Sequence, residues 1–106
     1  MQDFRKVAQN LISSIVDKIE LNDKEAILEI DQKDEVTQIS TPSGIYVINA
    51  NHYLHEIWVS SPLSGPHHFK LKESLTKKHD WMNKHGKEIM LLLNEEFKQI
   101  ANIDFF

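Results

Sequence analysis

A chain of 106 residues amounts to one domain, 1–106, and is long enough to bury a core without disulfide or metal staples. Its 41% hydrophobic and 26% charged residues exclude disorder, and the absence of cysteine excludes a disulfide framework, thiolate metal sites and cysteine nucleophiles. The net charge of −4 lacks the basic footprint of a nucleic-acid binder, and no apolar run nears the roughly 20 residues that span a bilayer.

The opening MQDFRKVAQNL has neither the apolar core of a secretory signal nor the acid-poor look of a transit peptide. A cytoplasmic protein is the expectation. Phe4, Val7, Ala8, Leu11, Ile12, Ile15, Val16 and Ile19 recur at helical spacing, which predicts an amphipathic helix from Asp3 to Glu20 packed on a core. Leu21-Asn22-Asp23 breaks the stripe. In the following Ala26–Asp31, Ala26, Leu28 and Ile30 share one face of a predicted strand, and Ile27, Glu29 and Asp31 the other. Gln32–Glu35 reads as a polar turn, Val36–Ser40 as a second strand, and Thr41-Pro42-Ser43-Gly44 as a tight connection.

The densest run of β-branched and aromatic residues follows, divided into strands Ile45–Asn49, Glu56–Ser60 and His67–Leu71. SPLSGP at 61–66 punctuates the last two. Residues 73–80 are polar and read as a loop, and Asp80–Asn83 around Trp81 as a short sixth strand. A second helix is predicted over Lys87–Ala101, with Ile89, Leu92, Leu93, Phe97, Ile100 and Ala101 as its stripe. The apolar tail IDFF should pack back on the domain. Short turns between consecutive strands imply an antiparallel meander. The expected fold is an α+β two-layer sandwich, with both helices on one face of a sheet of five or six strands. The other face is left open to solvent, and alternation puts Trp58 there, opposite in sense to Ile57 and Val59.

Two features could carry chemistry. Between Asp17 and Glu35 there are eight acids (Asp17, Glu20, Asp23, Glu25, Glu29, Asp31, Asp34, Glu35) against three lysines, whereas residues 36–106 are balanced. Asp17 and Glu20 share a helix face, and Glu29 and Asp31 a strand face. A solvated face is the ordinary meaning of such a run; exposed carboxylates also bind hard cations weakly, or steer a basic partner. The second feature is Trp58, a large ring with one polar handle on a flat surface, as interface anchors are. Asn49, Glu56, Ser60, His68 and Lys70 could ring it. Between His67 and Lys87 six lysines face two acids, a locally basic end. The six histidines form no i, i+4 pair, HExxH or HxE frame, so no tight catalytic metal site is expected. Ser60, Ser61 and Ser64 beside His67 read as turn residues.

Tyr46-Val47-Ile48-Asn49, then Ile57-Trp58-Val59-Ser60-Ser61-Pro62-Leu63-Ser64-Gly65-Pro66, then Phe69 and Trp81, resemble the signature of the frataxin family, including its bacterial CyaY-type members. The likeness is dense over 44–71 and consistent in element order throughout. It implies an iron-binding accessory protein of iron–sulfur cluster assembly that docks on the cysteine desulfurase–scaffold complex and has no enzymatic activity of its own. It implies Fe2+ or Fe3+ held weakly by surface carboxylates at Asp17, Glu20, Asp23, Glu25, Glu29 and Asp31, and a monomer when iron is absent. The implied docking surface is Asn49, Glu56, Trp58, His68 and Lys70, set apart from the carboxylates. The sequence departs from the family pattern at Glu56, where a glutamine is usual, and in the turn Gln32-Lys33-Asp34-Glu35, where glycine is usual. A ferroxidase storing iron in an oligomer, and an interaction module with no metal role, are the alternatives.

Overall fold

The computed structural model describes residues 3–73 and 79–105. Helix α1 is Phe4–Asn22, six strands follow (β1 Glu29–Lys33, β2 Val36–Thr41, β3 Gly44–Asn51, β4 Glu56–Ser61, β5 Gly65–Glu73, β6 His79–Met82), and helix α2 is Ile89–Ala101. The strands form one sheet in the order β1-β2-β3-β4-β5-β6, antiparallel at every junction. The expected meander and two-layer α+β sandwich are what the chain adopts. Among the described residues no helix is long and apolar enough to cross a membrane.

One face of each central strand is apolar, and the helices bury it. Ile39, Tyr46, Ile48, Ile57, Val59, Phe69 and Trp81 from the sheet pack with Ala8, Ile15 and Ile19 of α1 and Ile89, Leu93 and Phe97 of α2, all at or below 2% exposure. The tail returns as expected: Ile103 and Phe105 are buried, and the Phe105 N–H donates to Asn94 Oδ1 at 2.6 Å. Asn102, at φ 55°, ends α2 in a left-handed cap that turns the chain back toward Phe97.

Four expected bounds are corrected. The first strand begins at Glu29 rather than Ala26. Both carboxylate oxygens of Asp23 accept backbone N–H groups, Oδ1 from Ile27 (2.9 Å) and Oδ2 from Leu28 (2.8 Å), and Ala26 is held at φ 52°. That local bonding replaces ladder pairing over the first three residues. The turn of the first hairpin is Asp34-Glu35 alone, both at positive φ as a two-residue hairpin requires, so Gln32 and Lys33 belong to β1. The second helix starts at Ile89, because the Glu88 side chain caps it by accepting from Met90 N and Leu91 N. The loop read over 73–80 is narrowed from both sides by β5 and β6, and its residues 74–78 lie outside the described residues. Gly44, at φ 131°, is required where it stands: a Cβ there would lie 2.7 Å from Pro62 Cβ, so the β2–β3 and β4–β5 turns touch.

Candidate functional site

The face of the sheet opposite the helices is the open one. Register places its residues in rows. One row runs Lys33, Val36, Asn49, Trp58, His68; the row beside it runs Asp31, Gln38, Val47, Ser60, Pro66. Trp58 therefore stands in the middle of a bare sheet face, as alternation predicts.

Its environment holds it still. The indole lies parallel to the His68 ring, centroids 4.3 Å apart at 8°. Its Nε1–H donates to Glu56 Oε1 at 2.8 Å. Lys70 Nζ is 3.6 Å from Glu56 Oε2, and His68 Nδ1 is 3.8 Å from Oε1. Asn49 is the cross-strand partner of Trp58 on β3. The five residues singled out as a docking surface thus form one group. Glu56 departs from expectation within it: it is only 6% exposed, not a rim residue, and its carboxylate is spent on Trp58. A glutamate on that face is tolerable in partial burial because an N–H and a lysine compensate its charge.

The acidic residues divide. Asp17, Glu20, Glu25, Glu29 and Asp31 are exposed, whereas Asp23 is half-buried and caps the lead-in to β1. Asp17 and Glu20 lie on α1, in the helical layer. Glu29 and Asp31 point to the open sheet face, cross-strand from Ser40 and Gln38. Asp31 and Trp58 thus share one surface, about 15 Å apart by strand spacing. Among the described residues no three His, Asp or Glu side chains converge into a metal cage. Two of the described histidines pack on an aromatic ring. His55 stacks on Phe4 (4.8 Å, 10°), and His52 meets the same ring edge-on at 5.6 Å.

Sequence reasoning missed a polar hub. Glu96 of α2 is 7% exposed, and it accepts from Tyr46 Oη (2.6 Å), Ser61 Oγ and Ser64 Oγ (2.6 Å). Burial and the carboxylate together push the Tyr46 phenol well above its ordinary value. The signal was available: Glu96 falls on the apolar stripe of α2, three residues after Leu93 and four after Leu92. A carboxylate there must find donors in the core.

From the hub a bonded chain runs outward. Asn83 Oδ1 accepts from the N–H groups of His85 (3.0 Å) and Lys87 (2.9 Å), which fixes the amide orientation. Its Nδ2 therefore donates to His67 Nδ1 at 3.3 Å, leaving the His67 proton on Nε2, which meets Ser64 Oγ at 2.7 Å. Desolvation holds His67 below the usual histidine range, against the attraction of Glu96. Ser64, His67 and Glu96 touch, but in the wrong order for a nucleophile. The serine hydroxyl donates to the carboxylate directly, and the far histidine nitrogen meets an amide donor.

A model of the Frataxin-like domain family matches residues 1–103. Over 72 residues the chain is 40% identical to mitochondrial frataxin of Caenorhabditis elegans, covering 63% of this chain and 49% of that protein. Over 107 residues it is 24% identical to the mitochondrial frataxin-like protein of Leishmania donovani, covering 96% and 57%. The chain thus spans about half the length of these curated relatives. Among solved structures, frataxin from Psychromonas ingrahamii superposes with a TM-score of 0.78 at 25% identity, covering 97% of this chain and 94% of that one. Trimeric frataxin from the yeast Saccharomyces cerevisiae, complexed with ferrous, gives 0.68 at 26% identity, covering 93% and 85%. With the family matched from residue 1 to residue 103 and its fold shared with a bacterial relative, this chain belongs to the frataxin family.

Proposed function

We propose that this chain is a non-enzymatic, iron-binding accessory protein of iron–sulfur cluster assembly, docking on a cysteine desulfurase–scaffold complex through its open sheet face. The observation that carries the reading is Trp58, fixed in the middle of an uncovered sheet by His68 and Glu56. Pre-ordering an aromatic anchor lowers the entropy lost on binding, and flat central aromatics dominate interface energies. Asn49 and Lys70 complete the surface.

Iron is cargo in this reading. Asp17, Glu20, Glu25, Glu29 and Asp31 are exposed oxygen donors suited to a hard cation that keeps water ligands, so binding is weak. Asp23 contributes charge rather than a free carboxylate. Family membership and a yeast relative complexed with ferrous support the metal's identity. The chain works as one domain, a monomer without iron, in a reducing compartment; a cytoplasmic setting is part of the proposal, beside relatives whose names place them in mitochondria.

The test is affinity for a purified desulfurase–scaffold complex. Trp58→Ala should weaken it by roughly 2 kcal/mol or more, the range of an interface anchor; unchanged affinity removes the sheet face from the interface. A second reading, iron oxidation and storage in an oligomer, is favoured by the trimeric state of that yeast relative. It requires assembly and catalytic oxygen consumption when Fe2+ is added.

A further inference from the structure

Beyond Trp58 toward the far edge of the sheet lies a groove of about 780 Å³, walled on one side by β5 and on the other by the 83–87 turn. Lys70, Lys72 and Lys84 line it with His68 and His85; among the described side chains Glu56 is the carboxylate that faces them, and Asp80 is the register partner of Lys72 on β6. The Glu56 carboxylate is already engaged by Trp58 and lies beside Lys70 and His68. The opposite wall is fixed. Asn83, 7% exposed, binds the backbone of His85 and Lys87 through Oδ1, and its own N–H and C=O pair with Lys87 O and Gly86 N. A basic surface is therefore built on a rigid frame.

Its place in the molecule adds to its sign. The acid-rich stretch runs through β1 and ends in the β1–β2 turn, at one edge of the sheet, and the groove lies along β5 and β6 at the other. Four strand spacings separate them, about 19 Å, more than twice the screening length at physiological salt. The acids do not neutralise this groove.

We propose that the groove is a docking track for an extended acidic segment of a protein partner, adjoining the surface around Trp58 and sharing His68 and Lys70 with it. Lys70 and Lys72 project from the same face of β5 with Cα atoms about 6.7 Å apart, the repeat of alternate side chains on an extended peptide. Alternate carboxylates along such a segment meet successive lysines. A free phosphate fits less well, since it calls for converging N–H groups or an arginine fork. The lysines here stand in a row, and the one arginine of the chain, Arg5, is paired with Glu35.

The probe is an acetylated oligoglutamate peptide, titrated at low ionic strength into the isotopically labelled chain and followed by backbone amide shifts. Shifts at Lys70, Lys72 and Lys84–Gly86 are expected, fading as salt is raised. The double reversal Lys72→Glu, Lys84→Glu should weaken binding by about tenfold or more, and the neutral pair Lys72→Gln, Lys84→Gln by less. Both lysines are exposed, so the fold is retained. The proposal is overturned by equal binding to the double reversal, by shifts confined elsewhere, or by inorganic phosphate reproducing the same shifts at the same affinity.

Discussion

Glu96 shows how much one side chain can tie together. It joins α2 to β3 through Tyr46 and to the β4–β5 turn through Ser61 and Ser64. Glu96→Ala leaves three hydroxyls without their acceptor and should cost about 3 kcal/mol in urea unfolding, with Glu96→Gln losing less because one carbonyl oxygen remains. His67 sits one bond further out, neutral and with its proton on Nε2. Its folded pKa is lowered by desolvation, so the unfolded chain binds the proton more readily. Stability is therefore full above the unfolded value near 6.5 and falls as pH drops from there toward the folded pKa. A glutamine offers the same donor and acceptor without titrating. His67→Gln should flatten this part of the profile, read as the difference in urea midpoints between the two proteins from neutral to mildly acidic pH.

At the scale of elements, turns rather than strands are the sensitive parts. The ladder of β2–β5 has apolar residues on one face and continuous pairing, and single changes on the open face leave it intact. Gly44 has no such latitude. It combines a positive φ with a position 2.7 Å from Pro62 when given a Cβ, and the proline ring cannot swing aside. Gly44→Ala should destabilise by about 2 kcal/mol, measured as a lowered thermal midpoint, while β3 keeps its register. The same logic explains Ser61: its hydroxyl donates to Glu96 and accepts from the N–H groups of Leu63 and Ser64, fixing the turn that follows the Trp58 strand. Residues read in the sequence only as turn formers are what joins that strand to the core.

At the scale of the molecule, an acid-rich segment and a lysine-lined groove lie at opposite edges of one sheet, with the outward Trp58 between them. Because Glu29 and Asp31 share the surface of Trp58, the proposed metal and partner sites are separable only to the extent that about 15 Å allows. Trp58→Ala should leave Fe2+ binding unchanged within about twofold, since sites that far apart act independently. Neutralising Asp17, Glu20, Glu29 and Asp31 together should reduce Fe2+ binding at least about fivefold, with calorimetric titration reading both. Equal binding by the neutralised variant removes these carboxylates from the site.

Helix stripes, strand alternation and turn chemistry act between residues near in sequence, so the sequence alone determined the element order, the two-layer fold, the buried faces of both helices and the outward Trp58. The family likeness was carried by the same local runs, Tyr46–Asn49 and Ile57–Pro66. Tertiary structure decided what depends on distant pairs. Asp23 and Glu56 look like free surface carboxylates in the sequence, yet one caps backbone and the other holds an indole. Glu96 meets hydroxyls 50, 35 and 32 residues away, and no periodicity names such partners. Charge composition is a property of the chain, but which charges face water and which are spent on a neighbour is settled only when strands come into register.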